Sequence, residues 1–227
     1  FDDPSFNRNI NGFSGKAEMK VGDKHTLTFL TGYHTSDQRT ANDFDHTELD
    51  FTTFIRNIDY KTRSHEIRIS TPRKDAKLFY VGGLFYLKER IQSKDIFTFG
   101  QAWIPIFKGL AGLPDSFTVP NYSAEGISEA TQNVESFAVF GSTSYEISEK
   151  VRINAGLRFT NEDRNLSYYQ QLNPGTDINF VKFILQQIGS ETDPQSREAN
   201  RSFVSGNIGM DFKTSDNFLV YANFSKG

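Results

Sequence analysis

Asp43, Asp45, His46, Glu48 and Asp50 fall within eight residues of one another, and oxygen-rich loops of this kind can hold calcium. Asp43, Asp45 and Glu48 are the candidate metal ligands. The spacing lacks the glycine and terminal glutamate of an EF-hand loop, so a solvated acidic loop is the competing reading. A second set, Lys16, Glu18, Glu66, Arg68, Arg152 and Arg158, alternates with apolar residues. These charges could line a substrate path, with Arg68, Arg152 and Arg158 as ligand contacts, or they could pair with one another to satisfy buried charge. A third set, Trp103, Phe107, Phe117 and Tyr122, gives the stretch 91–133 an aromatic surface suited to a ligand or to packing within the loop. Trp103 and Tyr122 are its candidate ligand contacts.

Catalytic chemistry finds no comparable foothold. No Gly-x-Ser-x-Gly elbow, P-loop, dinucleotide fingerprint or His-Glu-x-x-His occurs, and neither an enzyme nor a cofactor is expected. The 227 residues include no cysteine, which removes disulfides, thiol catalysis and iron–sulfur ligation. A formal charge of -3, from 25 Lys+Arg against 28 Asp+Glu, gives none of the basic excess that nucleic-acid binding uses. His25, His34, His46 and His65 suit solvated or interfacial roles.

The elements that would position these side chains announce themselves by period-2 alternation. Aromatic residues make 14% of the chain, 22 Phe among them, and aromatics favour pleated, half-buried surfaces. Phe13, Gly15, Ala17, Met19 and Val21 share one face; Gly22-Asp23-Lys24 turns the chain; Leu27, Phe29, Thr31 and Tyr33 return. Ile67 and Ile69 lead through Pro72-Arg73-Lys74-Asp75 to the run Lys77–Arg90, whose two faces are both apolar and leave its direction open. Phe137 to Ile147 and Val151 to Phe159 flank Ser148-Glu149-Lys150. Val204 to Phe212 precedes Thr214-Ser215-Asp216-Asn217 and a last run, Phe218–Phe224, also of ambiguous face. Four hairpins make about eight antiparallel strands.

Between the hairpins lie long polar stretches, 35–62, 91–133 and 161–200, read as loops. Every short turn then falls at one end of the sheet and every long connection at the other. Water bathes both ends of a soluble sandwich and gives no reason for such sorting, whereas an outer-membrane barrel has short turns on one side and long loops on the other. With a mean hydropathy of -0.52 and no long apolar run, a helical crossing is excluded and a barrel crossing is the one left. Tyr33, Tyr145, Phe159, Phe212 and Phe224 sit near run ends, where interfacial girdles form. The expectation is an all-β, up-and-down transmembrane barrel segment, with residues 1–227 part of one barrel domain. A self-contained eight-stranded barrel of structural or adhesive role would require its first and last strands to pair, and a soluble β binding module would require the apolar face to be covered.

The motifs carry a resemblance as well. Ser64-His65-Glu66-Ile67-Arg68-Ile69-Ser70-Thr71-Pro72, followed by Phe79-Tyr80-Val81-Gly82-Gly83-Leu84-Phe85-Tyr86, resembles the Glu-hydrophobic-Arg-hydrophobic-Ser and Gly-x-Phe-Tyr pairing of TonB-dependent outer-membrane receptors. Glu135–Gly141 leading to Ala155–Thr160, and Asn217–Gly227, are similar to that family's mid-barrel hairpin and its Leu-Val-Tyr-Ala-x-x-Ser-Lys-Gly strand. The resemblance implies uptake of a scarce or bulky small-molecule nutrient, of the iron-chelate, cobalamin or glycan class, across the bacterial outer membrane. It also implies outer-membrane lipid as surroundings, and the TonB complex as a partner reached through a plug domain outside this sequence. Such barrels have 22 strands, of which this chain would supply about a third.

Overall fold

The computed structural model describes residues 4–43, 46–71, 77–118, 124–174, 192–215 and 217–227. Eight strands form one antiparallel sheet in sequence order: β1 (Ser5–Val21), β2 (His25–Asp43), β3 (Thr52–Ser70), β4 (Leu78–Phe99), β5 (Ala124–Ser148), β6 (Val151–Pro174), β7 (Thr192–Ser215) and β8 (Phe218–Lys226). Among the described residues one helix, α1 (Trp103–Ala111), interrupts the connection from β4 to β5. The β1–β2 hairpin turns at Gly22, whose φ of 61° lies in the left-handed region that glycine enters without a Cβ penalty. No pairing joins β1 to β8 among the described residues, so the closure that a self-contained eight-stranded barrel needs is not made.

The all-β expectation holds, but the extent of the strands does not match the sequence reading. Parts of all three stretches 35–62, 91–133 and 161–200 are strand: β2 runs on to Asp43, β4 to Phe99, β6 to Pro174, and β3, β5 and β7 begin correspondingly early. The reason is physical. Hydrophobic alternation marks a strand only where one face meets an apolar medium, and here the ladder continues past that zone with mostly polar residues on its outer side, a row of Ile55, Ile96 and Ile127 apart.

Unbroken register from β1 to β4 fixes which side chains share a face. Phe13, Met19, Phe29, Ile67, Leu84, Val139, Leu157, Ile208 and Phe224 all lie on one side and are exposed, Leu157 at 68% and Phe224 at 73%. On the other side sit the buried Thr28, Ser136, Ala138 and Thr160. The apolar side chains of this stretch therefore point outward, and among the described residues no second layer covers them, the reverse of a soluble core. Pairing also settles the two ambiguous strands. Leu84 opposite Ile67 and Val139 places the even residues of β4 outward, and Phe224 opposite Ile208 does the same for β8. Phe79, Val81 and Phe85 thus face inward.

The outward apolar stretches have a common length. Phe13 to Val21, Val151 to Phe159 and Val204 to Phe212 each cover nine residues, about 30 Å of strand. A tilt of about 40° brings this to ~23 Å, close to the apolar belt of outer-membrane barrels. The belt runs obliquely across the ladder: Phe13 shares a continuous row with Tyr33, Arg63, Lys88, Glu135, Asp163 and Asn200, yet on β7 the first outward apolar residue is Val204, four positions further on. Such stagger accompanies tilted strands in a barrel wall.

Candidate functional site

The inward face holds the charged residues that alternate with the apolar belt. One transverse row reads Glu18, Thr28, Arg68, Gly83, Phe140, Arg158 and Ser205. Arg68 and Arg158 thus stand at the same level, three strand spacings apart, about 14 Å. Arg68 Nη1 donates to Glu66 Oε1 at 3.3 Å, and Thr28 Oγ1 donates to Glu18 Oε1 at 3.4 Å, with Lys16 Nζ 2.9 Å from the same oxygen. The Arg158 guanidinium lies 5.0 Å from the Phe85 ring centroid and 5.9 Å from that of Phe140, while its Nε donates to Thr160 Oγ1 at 3.2 Å.

Gly83 makes this arrangement sterically feasible. A Cβ there would stand 2.7 Å from both Phe140 Cζ and the Ile67 carbonyl oxygen. The missing side chain lets the Phe140 ring lie across the floor between the two arginines. An aromatic floor with a guanidinium at each side suits a bulky ligand bearing negative charge, because Arg both stacks on rings and forks its donors toward carboxylate-like oxygens.

Arg152 is elsewhere. It lies six residues from Arg158 along β6, near the short turn, where it pairs with Glu146 and faces Asp211. Ser144 Oγ donates to Asn154 Oδ1 at 2.7 Å, and Asn154 Nδ2 donates to Asp211 Oδ2 at 3.1 Å. Arg152 belongs to this local polar cluster, so the three candidate arginines occupy two places on the wall.

Nearer the long connections, the inward face has a further polar group. Tyr60 donates its hydroxyl hydrogen to Glu89 Oε2 at 2.7 Å, and His34 meets the Tyr60 ring edge-on at 5.6 Å. Burial, reinforced by the Glu89 carboxylate, raises the Tyr60 pKa above its ordinary value, since both disfavour the phenolate. Arg56 forks onto Asp95 at 2.8 and 2.7 Å.

Trp103 opens α1 and packs among rings, with centroids 5.8 Å from Phe51, 6.0 Å from Phe99 and 5.6 Å from Phe107, and it donates Nε1–H to Thr52 at 3.1 Å. Its indole is the centre of a loop core. Asp50 anchors that core: its Oδ2 accepts from the Gln101 amide at 3.0 Å, and its carbonyl accepts from Ala102 at 2.9 Å. Gly100 sits against it with no room for a Cβ, which would come within 2.0 Å of Asp50 Oδ1. Tyr122 and Asp45 lie outside the described residues. Asp43 is buried at the end of β2 and Glu48 is exposed in the connection to β3; among the described residues no three acidic or imidazole groups converge to hold a metal.

The whole sequence, residues 1–227, matches the family described as TonB dependent receptor-like, beta-barrel. No curated protein matches it in sequence. Among solved structures, the fold is similar to that of the ferric yersiniabactin uptake receptor FyuA from Yersinia pestis, at 12% identity and a TM-score of 0.70, covering 97% of this chain and 28% of that one. It is also similar to the siderophore receptor PiuA from Acinetobacter baumannii, at 14% identity and a TM-score of 0.64, covering 99% and 33%. The copper transporter OprC is similar at 13% identity and a TM-score of 0.60, covering 98% and 30%. The chain therefore spans about a third of the length of the structures it resembles.

Proposed function

The chain belongs to the TonB-dependent receptor-like β-barrel family, and from that premise we propose that it forms part of the wall of an outer-membrane importer that takes up an iron chelate by TonB-dependent transport. The observation that carries the membrane part is the exposed outward belt, nine residues deep, over an inward face that holds the charged residues of the same strands. A soluble module would leave that belt without a covering, and a self-contained barrel would need β1 and β8 to pair.

The inward row of Arg68 and Arg158 with Phe140 between them supports the cargo class. Iron chelates are commonly bulky, oxygen-rich and anionic, and two guanidiniums flanking a ring suit that chemistry. The named functions of the receptors with similar folds point the same way. In this reading the residues bind and guide; no bond in the cargo is made or broken, and energy comes from the TonB complex.

Radiolabelled iron-chelate uptake by cells carrying the full receptor tests it. Uptake is expected to fall to background when TonB is deleted and to drop about tenfold in Arg68→Gln/Arg158→Gln, with the receptor still in the outer membrane. Uptake of labelled cobalamin in place of every chelate tried would overturn the cargo class, and TonB-independent uptake would overturn the mechanism.

A further inference from the structure

Toward the long connections from the aromatic floor, the inward face of β6 and β7 carries arginines in a zigzag. Arg197 lies opposite Leu166, Arg164 opposite Ala199, Arg201 opposite Glu162 and Arg158 opposite Ser205. All four are inward, because Arg158 and Arg164 are an odd number of residues from the outward Leu157, and Arg197 and Arg201 an odd number from the outward Val204. The first three follow one another at two-residue steps on alternate strands, which puts successive Cα atoms about 8 Å apart. Arg158 comes four residues after Arg201 on the ladder, and its Nε donates back toward the column, to Thr160 Oγ1 at 3.2 Å.

Charge on this strip is one-sided. Between Arg158 and Arg197 the inward positions of β6 and β7 hold a single carboxylate, Glu162, whose Oε1 accepts from Arg164 Nε at 2.6 Å. Arg197 and Arg201 form no ion pair among the described residues. The neighbouring acids face the other way: Asp163 and Glu198 are outward, where Asn200 and Asn165 donate to them. Beside the strip, β5 is uncharged on its inward face from Ala130 to Phe140. On β3 and β4 the inward charges are instead closed off, Arg56 by Asp95 and Glu89 by the Tyr60 hydroxyl.

A wall lined by one sign of charge concentrates ions of the other sign at its surface and speeds their arrival. Guanidiniums spaced along it suit a ligand bearing several carboxylates, each of which one fork can take in turn. We propose that Arg164, Arg197 and Arg201 form an outer collecting site for multiply charged, carboxylate-bearing metal chelates, which gathers them from the medium and passes them to Arg158 and the Phe140 floor. This adds a second site to the floor, and it rests on the inward face being the transport side.

The test uses the full receptor, free of other cysteines, in phosphatidylcholine nanodiscs, with a nitroxide on Ala199→Cys. Its relaxation by tris(oxalato)chromate(III), a trianionic carboxylate chelate, is compared with that by a neutral nickel chelate. At low salt the trianion-to-neutral ratio is expected to be about tenfold that of free nitroxide. It should fall back in roughly 1 M salt, where charges are screened within about 3 Å. A nitroxide on Ser93→Cys, on the inward face of β4, should give a ratio near that of free label. Arg164→Gln/Arg197→Gln/Arg201→Gln should lose the enrichment and raise the half-saturation concentration of iron-chelate uptake severalfold, with the maximal rate unchanged. Arg164→Lys/Arg197→Lys/Arg201→Lys, which keeps the charge, should keep the enrichment. A ratio at Ala199→Cys no higher than at Ser93→Cys, enrichment that survives the glutamine variant or vanishes in the lysine one, or an unchanged half-saturation concentration overturns the proposal and leaves import standing. Uptake that proceeds without TonB while the enrichment persists overturns the import reading and leaves the anion site.

Discussion

Each long strand of this wall passes through two environments, and the half beside the short turns differs from the half beside the long connections. On β7 the outward positions run Val204, Ile208, Met210 and Phe212 toward the turn, but Ser196, Glu198, Asn200 and Ser202 away from it. On β3 the corresponding change is from Ile67 and Ile69 to Lys61 and Arg63. Backbone pairing continues across the boundary without interruption on β2, β3 and β4. The ladder is thus indifferent to its surroundings, and the outward side chains alone record what medium each half meets.

The sharpest way to break this contrast is to put one charge into each half of a single strand. Ile208→Arg, at the centre of the belt on β7, is expected to cost about 2 to 4 kcal/mol of folding stability in lipid vesicles. Ser196→Arg, on the same face of the same strand, is expected to cost roughly 0 to 1 kcal/mol. Urea titration of vesicle-embedded protein reads both, and equal costs would place the boundary elsewhere.

A smaller difference separates two inward glycines. Gly83→Ala must move Phe140 or the β3 backbone and is expected to cost about 1 to 3 kcal/mol. Gly126→Ala, whose new methyl would meet nothing closer than 3.7 Å, should lie within about 0.5 kcal/mol of the parent. The same titration separates them. Iron-chelate binding should weaken only in Gly83→Ala, because only there does the aromatic floor shift.

The slightest effect is on titration in the half beside the long connections. With its pKa raised above 10.0, Tyr60 stays protonated in the fold after an unfolded tyrosine has ionised. Its contribution to stability is therefore complete below about pH 10 and is lost as pH rises through the folded value. Difference absorbance at the phenolate band, parent minus Tyr60→Phe, should show a step later than that of free tyrosine; a step at the ordinary value would remove Glu89 and burial as its causes.

What could be read in advance follows the same division. Alternation exposed the belt halves of β1, β5, β6 and β7, together with the pairing and sense of all four hairpins, because an apolar medium on one side writes period 2 into the sequence. The outer halves carried no such signature. Thr35 to Asp43 is polar on both faces apart from Ala41, and Thr53 to Lys61 is polar outward apart from Ile55 and mixed inward, so strands there resembled loops. On β4 both faces are apolar, Leu84 outward and Phe85 inward, and only neighbouring strands decide between them.

The candidate site divides similarly. The inward direction of Arg68, Arg152 and Arg158 was readable from their positions between apolar residues. Their grouping was not, because the shared row of Arg68 and Arg158 depends on registers summed over β3, β4, β5 and β6. The contributions of Gly83 and Phe140 were hidden for the same reason, although a phenylalanine directly across from a glycine is the local hint that one ring needs room.

The oblique course of the belt acts like the pitch of a screw thread. A further strand docking beside β8 would have to slide into one particular offset to keep its greasy stretch level with that of its neighbour; two residues out of step, and a polar pair would be pulled into oil. The bilayer thereby serves as a gauge that checks the alignment of each incoming strand, a check that hydrogen bonding between backbones, identical at every even offset, could not perform.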